Sequence, residues 1–208
     1  GAAKVGKAFR TALSSVIQTM GGSTLTASLT RLFKSINAKA SGVRGERPIA
    51  LTGNKAQAKG LELNEKISFT SVFNAPHSVA TDADRVEVTF TIPAFVPKTY
   101  INPPAGATGF RIAGAVGWLS DYSFDSSTLT YEPDVPEQNS TSIVAYSNIQ
   151  PIDNNGTTIT LTATAPGGLV PEAGISVICG LGIEFYQKVD GVDYLLAQGN
   201  AMRIVEVF

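Results

Sequence analysis

The chain has 208 residues, of which 43% are hydrophobic and only 16% charged, enough for one well-buried core and low in charge for a surface that meets only water. A single cysteine, Cys179, excludes an intrachain disulfide and a thiolate metal cluster, and a single histidine, His77, excludes any site built on two imidazoles. No run approaches the roughly 20 apolar residues that cross a bilayer as a helix; the longest, residues 174–185, is interrupted by Ser176 and Glu184, so no membrane span is expected.

The net charge of −1 conceals a division. Residues 1–47 carry eight basic side chains (Lys4, Lys7, Arg10, Arg31, Lys34, Lys39, Arg44 and Arg47) against Glu46 alone, a net of +7. Residues 48–208 hold 8 basic and 16 acidic side chains, a net of −8. This pattern divides the chain into a basic amphipathic helical arm, 1–47, and an acidic body, 48–208.

In the arm, Val5, Phe9, Leu13, Val16, Ile17 and Met20 recur at helical spacing, and Gly21-Gly22 follow as a stop where a left-handed C-terminal residue is wanted. Ser23 or Thr24 is placed to cap a second helix, whose stripe is Leu25, Leu29, Leu32, Phe33 and Ile36. The two make a helical hairpin. Burying a large apolar side chain contributes roughly 1.5–3 kcal/mol, so leaving about ten in water forfeits on the order of 15–30 kcal/mol. Three covers are available: the chain's own β-body, a neighbouring copy, or a membrane surface. Polar faces rich in Ser and Thr and sparse in basic residues weigh against the membrane. The expectation is that the stripe is an assembly interface, packed partly on a neighbouring copy and steered by the arm charges.

From residue 48 onward the period changes from helical to two. Ile67, Phe69, Ser71 and Phe73 alternate, as do Val86, Val88, Phe90 and Ile92, and Ile159, Leu161 and Ala163 within a Thr-rich run. Residues 110–118, 142–149, 175–188, 194–196 and 202–207 complete the strand candidates. Turn clusters separate them, among them Asn74-Ala-Pro-His77 and Asp153-Asn-Asn-Gly156, and Val189-Asp-Gly-Val192 reads as a hairpin. Pro93, Pro97, Pro103 and Pro104 interrupt any ladder and predict an extended crossing between sheets. The fold class expected is mainly β: an antiparallel β-sandwich, Ig-like or jelly-roll-like, of about eight strands, preceded by the helical hairpin.

Several phrases together resemble a group of uncharacterised proteins of about this size from Bacteroidota: Arg44-Gly-Glu-Arg47, Ala75-Pro76 with Val79, Ile92-Pro-Ala-Phe-Val-Pro97, Pro104-Ala-Gly-Ala-Thr108 with Phe110-Arg111, and Leu181-Gly-Ile-Glu-Phe-Tyr-Gln187 followed by Gly191 and Tyr194. The resemblance covers nearly the whole chain, including Gly6-Lys7 and Arg10. It implies a bacterial origin and further residues before the position of Gly1, and it attaches no activity.

Chemistry-bearing patterns are sparse. His77 lies in a turn beside Asp82-Ala-Asp84, and the acidic pairs Asp82/Asp84, Asp121/Asp125 and Glu132/Asp134 fall in turns, where carboxylates bond their own backbone. Asp82-Ala-Asp84 and Asp153-Asn-Asn-Gly156 offer oxygen atoms without completing a 12-residue calcium loop. No phosphate-binding glycine motif is present. Trp118, Tyr122, Tyr131 and Tyr146 are candidates for a sugar platform, with core packing favoured. Cys179 reads as a buried small hydrophobe. The +7 arm invites nucleic acid, but its spacing is spent on an apolar stripe, which disfavours that partner.

These observations point away from an enzyme and imply no cofactor and no metal. The function expected is structural: a self-assembling subunit of a filament, tube or shell, with copies of itself as partners and an extracellular or cell-surface location. The alternatives are a secreted or surface carbohydrate-binding module, with polysaccharide as partner, and a capsid-like shell protein with an inward basic arm.

Overall fold

Helical periodicity at the N-terminus produces helices where it was expected, though not as two uniform rods. In the computed structural model, which describes residues 1–208, the chain opens with α1 (Ala2–Ala12), α2 (Ser14–Met20) and α3 (Leu25–Lys39). The first stretch breaks at Leu13, whose backbone (φ −116°, ψ 18°) leaves the helical region while its side chain stays buried. Gly21 is extended at φ −85°, not left-handed. A glycine suits it because a Cβ there would stand 2.6 Å from the carbonyl oxygen of Ile17. Neither Ser23 nor Thr24 caps α3 through its side chain; the Leu25 N–H donates to the Gly22 carbonyl instead.

Strands make up 38% of the chain and helices 23%, so the fold is mainly β as the alternation indicated. A small sheet has the order β1 (Ser78–Thr81), β2 (Glu87–Phe95), β8 (Thr157–Thr164). The large sheet centres on β3 (Gly109–Ser120) and β9 (Ile175–Val189), paired antiparallel from end to end. Beyond β3 lie β6 (Thr141–Tyr146) and β7 (Gln150–Pro151); beyond β9 lie β10 (Val192–Leu195) and β11 (Ala201–Val207). A separate hairpin is formed by β4 (Tyr122–Asp125) and β5 (Thr130–Pro133). Every pairing is antiparallel, and the two main sheets face one another as a β-sandwich.

Three short helical turns, α4 (Lys55–Ala58), α5 (Phe69–Val72) and α6 (Pro97–Tyr100), lie in connections. The alternation at Ile67, Phe69, Ser71 and Phe73, expected to form a strand, instead gives α5. Phe69, Val72 and Phe73 reach the core at helical spacing, the Phe69 and Phe73 rings stack at 5.3 Å, and Glu62 accepts the Phe69 N–H at 3.0 Å. Pro93 is absorbed within β2, where the register with β8 shifts between Ile92 and Phe95. Pro97 then opens α6 at a first-turn position that needs no N–H. The segment does cross from the small sheet to the large one. The expected hairpin at 189–192 forms with Asp190 at φ 50° and Gly191 at φ 79°, the two left-handed residues of a type I′ turn.

The large sheet is buried on both faces. Ile175, Val177, Cys179, Leu181, Ile183 and Phe185 of β9, with Phe110, Ile112, Val116 and Trp118 of β3, enter a sandwich core of 25 buried residues. The residues between them turn to the other face, where Ala113, Ala115, Leu119 and Ile178 join the helices in a second core of 23. Two cores of nearly equal size make the helices a third layer of the fold. The boundary expected at residue 47 therefore does not separate two packed units.

Candidate functional site

The helical stripe was the expected assembly interface, and the structure covers it within the chain. Val5, Phe9, Leu13, Val16, Met20, Leu25, Leu29, Phe33 and Ile36 are buried in the second core, with Ile17 and Leu32 packed against it. What permits the close approach is a row of small residues on the sheet. A Cβ at Gly117 would stand 2.9 Å from the Cβ of Ala12, and one at Gly182 would stand 2.6 Å from the Met20 sulfur. The stripe thus offers no free surface to a neighbour, correcting the expectation that it packs on another copy.

The arm charges are spread over this layer and do not form a projecting basic arm. Lys4 pairs with Glu132 of the β4–β5 hairpin at 2.7 Å, and Arg47 donates to the carbonyls of Ala38 and Gly42. Arg10 is half-buried, while Lys7, Arg31, Lys34, Lys39 and Arg44 are exposed. Opposite charges of arm and body meet within one chain at Lys4 and Glu132. A shell protein with a free inward arm finds no such arm in residues 1–47.

The other sequence candidates are mostly occupied by the fold. Asp82 accepts the N–H groups of Val86 and Glu87, Asp125 accepts from Ser127, and Asp153 from Asn155, so each closes its own turn. His77 packs its ring beside Phe69 and Phe73. Cys179 is buried, and burial pushes its thiol pKa up. Trp118, Tyr122 and Tyr131 are core residues; of the four aromatics considered for a sugar platform, Tyr146 alone is substantially exposed, at 38%.

Tyr146 belongs instead to a polar cluster that sequence reasoning missed. Beside the end of α2, adjacent strands place Arg111, Tyr146, Glu184 and Tyr186 together on the helical face of the large sheet, where Thr19 donates its hydroxyl to Glu184 Oε1 at 3.3 Å. Glu184 is 2% exposed; its Oε2 accepts from Arg111 Nε at 3.1 Å, Arg111 Nη2 at 2.7 Å and the Tyr186 hydroxyl at 2.8 Å. The Arg111 guanidinium lies 3.9 Å above the Tyr146 ring. Burial, then the hydrogen bond to Glu184 and its charge, push the Tyr186 pKa up to about 12. A depression of about 320 Å³ opens nearby above Gly109, lined by Thr108, Ile149, Gln150, Pro151, Lys188 and Asp193. The one available signal was Glu184 itself, a lone carboxylate in an otherwise apolar strand.

Sheet edges are the second feature of the surface. A strand at a sheet edge presents unpaired N–H and C=O groups, which proteins blunt by shortening, bulging, charging or covering the edge. On one side of this sandwich all of those devices occur. β1 and β10 have four residues each, β10 carries Asp193, and β11 is bulged between Ile204 and Glu206. The outer edge of β11 is also covered, because Gly60 N–H donates to Ile204 O, Ile204 N–H to Leu61 O, and Leu63 N–H to Met202 O.

On the other side protection is confined to one end: β7 is two residues long and ends in Pro151, and Gln150 Oε1 accepts the Thr157 hydroxyl at 2.6 Å. β8, Thr-Thr-Ile-Thr-Leu-Thr-Ala-Thr, has eight residues with no charge and no proline, and pairs with β2 alone. Ala165, just beyond it, donates its N–H to Val86 of the β2 side. By antiparallel alternation, Ile159, Leu161 and Ala163 direct their peptide groups to β2, while Thr158, Thr160, Thr162 and Thr164 direct theirs outward. Their side chains are exposed as well. β6, Thr-Ser-Ile-Val-Ala-Tyr, is the equally uncharged edge of the large sheet. Both edges open on the same side, since Tyr146, Ser147, Asn148 and Gln150 share a groove of about 250 Å³ with Thr158, Ile159, Thr160 and Leu161.

Comparison with protein-family models, with curated proteins and with solved structures finds no match to this chain, so the geometry of these edges and of the Arg111–Glu184 cluster carries the functional reading.

Proposed function

We propose that this is a structural, self-associating protein whose contact surface is the free edge of the small sheet, with copies of itself as partners. The observation that carries the reading is the contrast between edges: β1, β10 and β11 are short, charged, bulged or covered, whereas β8 is long, uncharged and open along the side away from β2. Pairing supplies the hydrogen bonds that the outward peptide groups of β8 otherwise make with water, and it extends the threonine rows of the outer face.

Light scattering coupled to size exclusion tests this. The wild-type chain is expected to run above the 21.8 kDa of one copy. Thr160→Pro removes an N–H that faces outward and leaves the β2 ladder intact, as proline is tolerated on an edge strand. Thr162→Lys sets a charge on the same edge. Both variants are expected to run as folded single copies by circular dichroism. A wild-type chain that stays monomeric at every concentration overturns the reading.

A second reading, binding of a polysaccharide, is favoured by the depression above Gly109. Ile149 and Pro151 give it apolar walls, and Gln150, Lys188 and Asp193 give it donors and acceptors suited to adjacent hydroxyls. Retardation in polysaccharide-containing gels, lost in Asp193→Ala, separates this reading from the first.

A further inference from the structure

The geometry of β8 points to one particular complex, and we infer that two copies pair β8 with β8 in antiparallel fashion about a two-fold axis through Leu161. This rests on the self-association proposed above and adds its register and its closure. Three constraints select the register.

The first is the face. Along β8 the side chains of Ile159, Leu161 and Ala163 point into the sandwich core and those of Thr158, Thr160, Thr162 and Thr164 point to water. A two-fold axis through a residue pairs threonine with threonine and core residue with core residue, whereas an axis between residues turns each threonine row onto an apolar one.

The second is the backbone. With the axis on Leu161, Thr160 lies opposite Thr162 of the second copy and Thr158 opposite Thr164. Every outward N–H and C=O of these four residues then meets a partner, as hydrogen-bonded antiparallel pairs require. Moving the axis to Thr160 or Thr162 leaves Thr164 or Thr158 outside the set.

The third is the inner row. Leu161, whose peptide group is engaged by β2, meets its own symmetry mate as a non-hydrogen-bonded pair, with Cα atoms about 4.5 Å apart and side chains in contact. Ile159 meets Ala163 on the same face. Both cores thereby continue across the seam, and the two small sheets become one, in the order β1-β2-β8-β8-β2-β1. The uncharged edge brings no like charges together, and a groove runs beside Thr158, Ile159, Thr160 and Leu161 on the side from which the second strand approaches.

The test places one cysteine at a time at the exposed positions, as Thr158→Cys, Thr160→Cys, Thr162→Cys and Thr164→Cys, and attaches a nitroxide to each. Cys179 is buried and stays unlabelled in the folded chain. At about 3.4 Å per residue the backbone positions of residue 160 in the two copies are roughly 8 Å apart, as are those of residue 162, while those of 158 and of 164 are roughly 20 Å apart. The expected result is therefore a symmetric series: strong line broadening for the two central labels and two equal, longer dipolar distances for the outer ones. A series with its minimum at 158 or at 164 overturns the register. Light scattering that shows association while all four labels remain magnetically isolated overturns the β8 contact and leaves self-association standing. Single copies throughout overturn both.

Discussion

Tyr186 shows how a single buried carboxylate reorganises its surroundings. Glu184 sits on the helical face of β9 among residues that exclude water, and Arg111 and the Tyr186 hydroxyl satisfy its Oε2. Burial first, and then the hydrogen bond to Glu184 and its charge, make a tyrosinate there costly, pushing the Tyr186 pKa up to about 12 from an ordinary value of 10.0. Between those values the unfolded chain binds fewer protons than the folded one, and stability falls as pH rises through the window; below it the contribution is fully present. Urea denaturation at about pH 9 and about pH 11 is expected to show a smaller alkaline loss of stability in Tyr186→Phe than in the wild type. At about pH 9 the same variant loses about 1 kcal/mol with the hydrogen bond. Equal alkaline losses in the two proteins overturn the assignment.

At the scale of elements, the helical layer and the large sheet depend on one another through their small residues. Gly182 faces Met20 and Met202, and a Cβ there would lie 2.6 Å from one sulfur and 2.9 Å from the carbonyl oxygen of Ala201. Gly182→Ala is expected to destabilise the fold by about 2 kcal/mol through overpacking, whereas Gly53→Ala, with nothing within 4 Å of the added methyl, is expected to be near neutral. The stripes of α1, α2 and α3 were legible in sequence, because a 3.6-residue period in a segment with no competing pattern leaves one face to bury. What covers them was not. That depends on Gly117, Gly180 and Gly182 falling on one face of two strands far away in the chain. A partial signal existed, for β3 and β9 read as continuous apolar runs, and a strand apolar on both sides needs a layer on both sides. Removing residues 1–40 therefore uncovers Ala113, Ala115, Leu119, Ile178, Met202 and Ile204. The remaining chain is expected to unfold or aggregate, as read by loss of cooperative thermal denaturation. A truncated chain that melts cooperatively would show the sandwich core to be sufficient alone.

For the whole molecule, the charge division and the free edges make opposed demands on how copies meet. A basic segment and an acidic body favour head-to-tail contacts, which continue into rings or filaments and weaken as salt screens them. Yet the basic residues are dispersed over the helical layer, and Lys4 already finds its acidic partner at Glu132 in the same chain. The edges are different in kind. Both open ones, β6 and β8, lie on a single side, and the opposite side ends in short, bulged or covered strands, so once β8 meets β8 no edge on the far side of either copy continues the assembly, and the six-residue β6 stays beside the seam. Threonine alternation at 157–164 was legible as a strand; that it would lie at a sheet's end was not, because edge position is a property of topology, set by what fails to pair. The contact at β8 is made of backbone hydrogen bonds and apolar burial with no ion pair, and raising the salt shortens the screening length from about 10 Å at 0.1 M to about 3 Å at 1 M without touching either. Sedimentation equilibrium across that range is expected to give closed pairs with a dissociation constant unchanged within a factor of about two, and negative-stain images are expected to show no filaments. Dissociation at high salt would instead place the contact on the charged faces, and growth into filaments would overturn the closed pair.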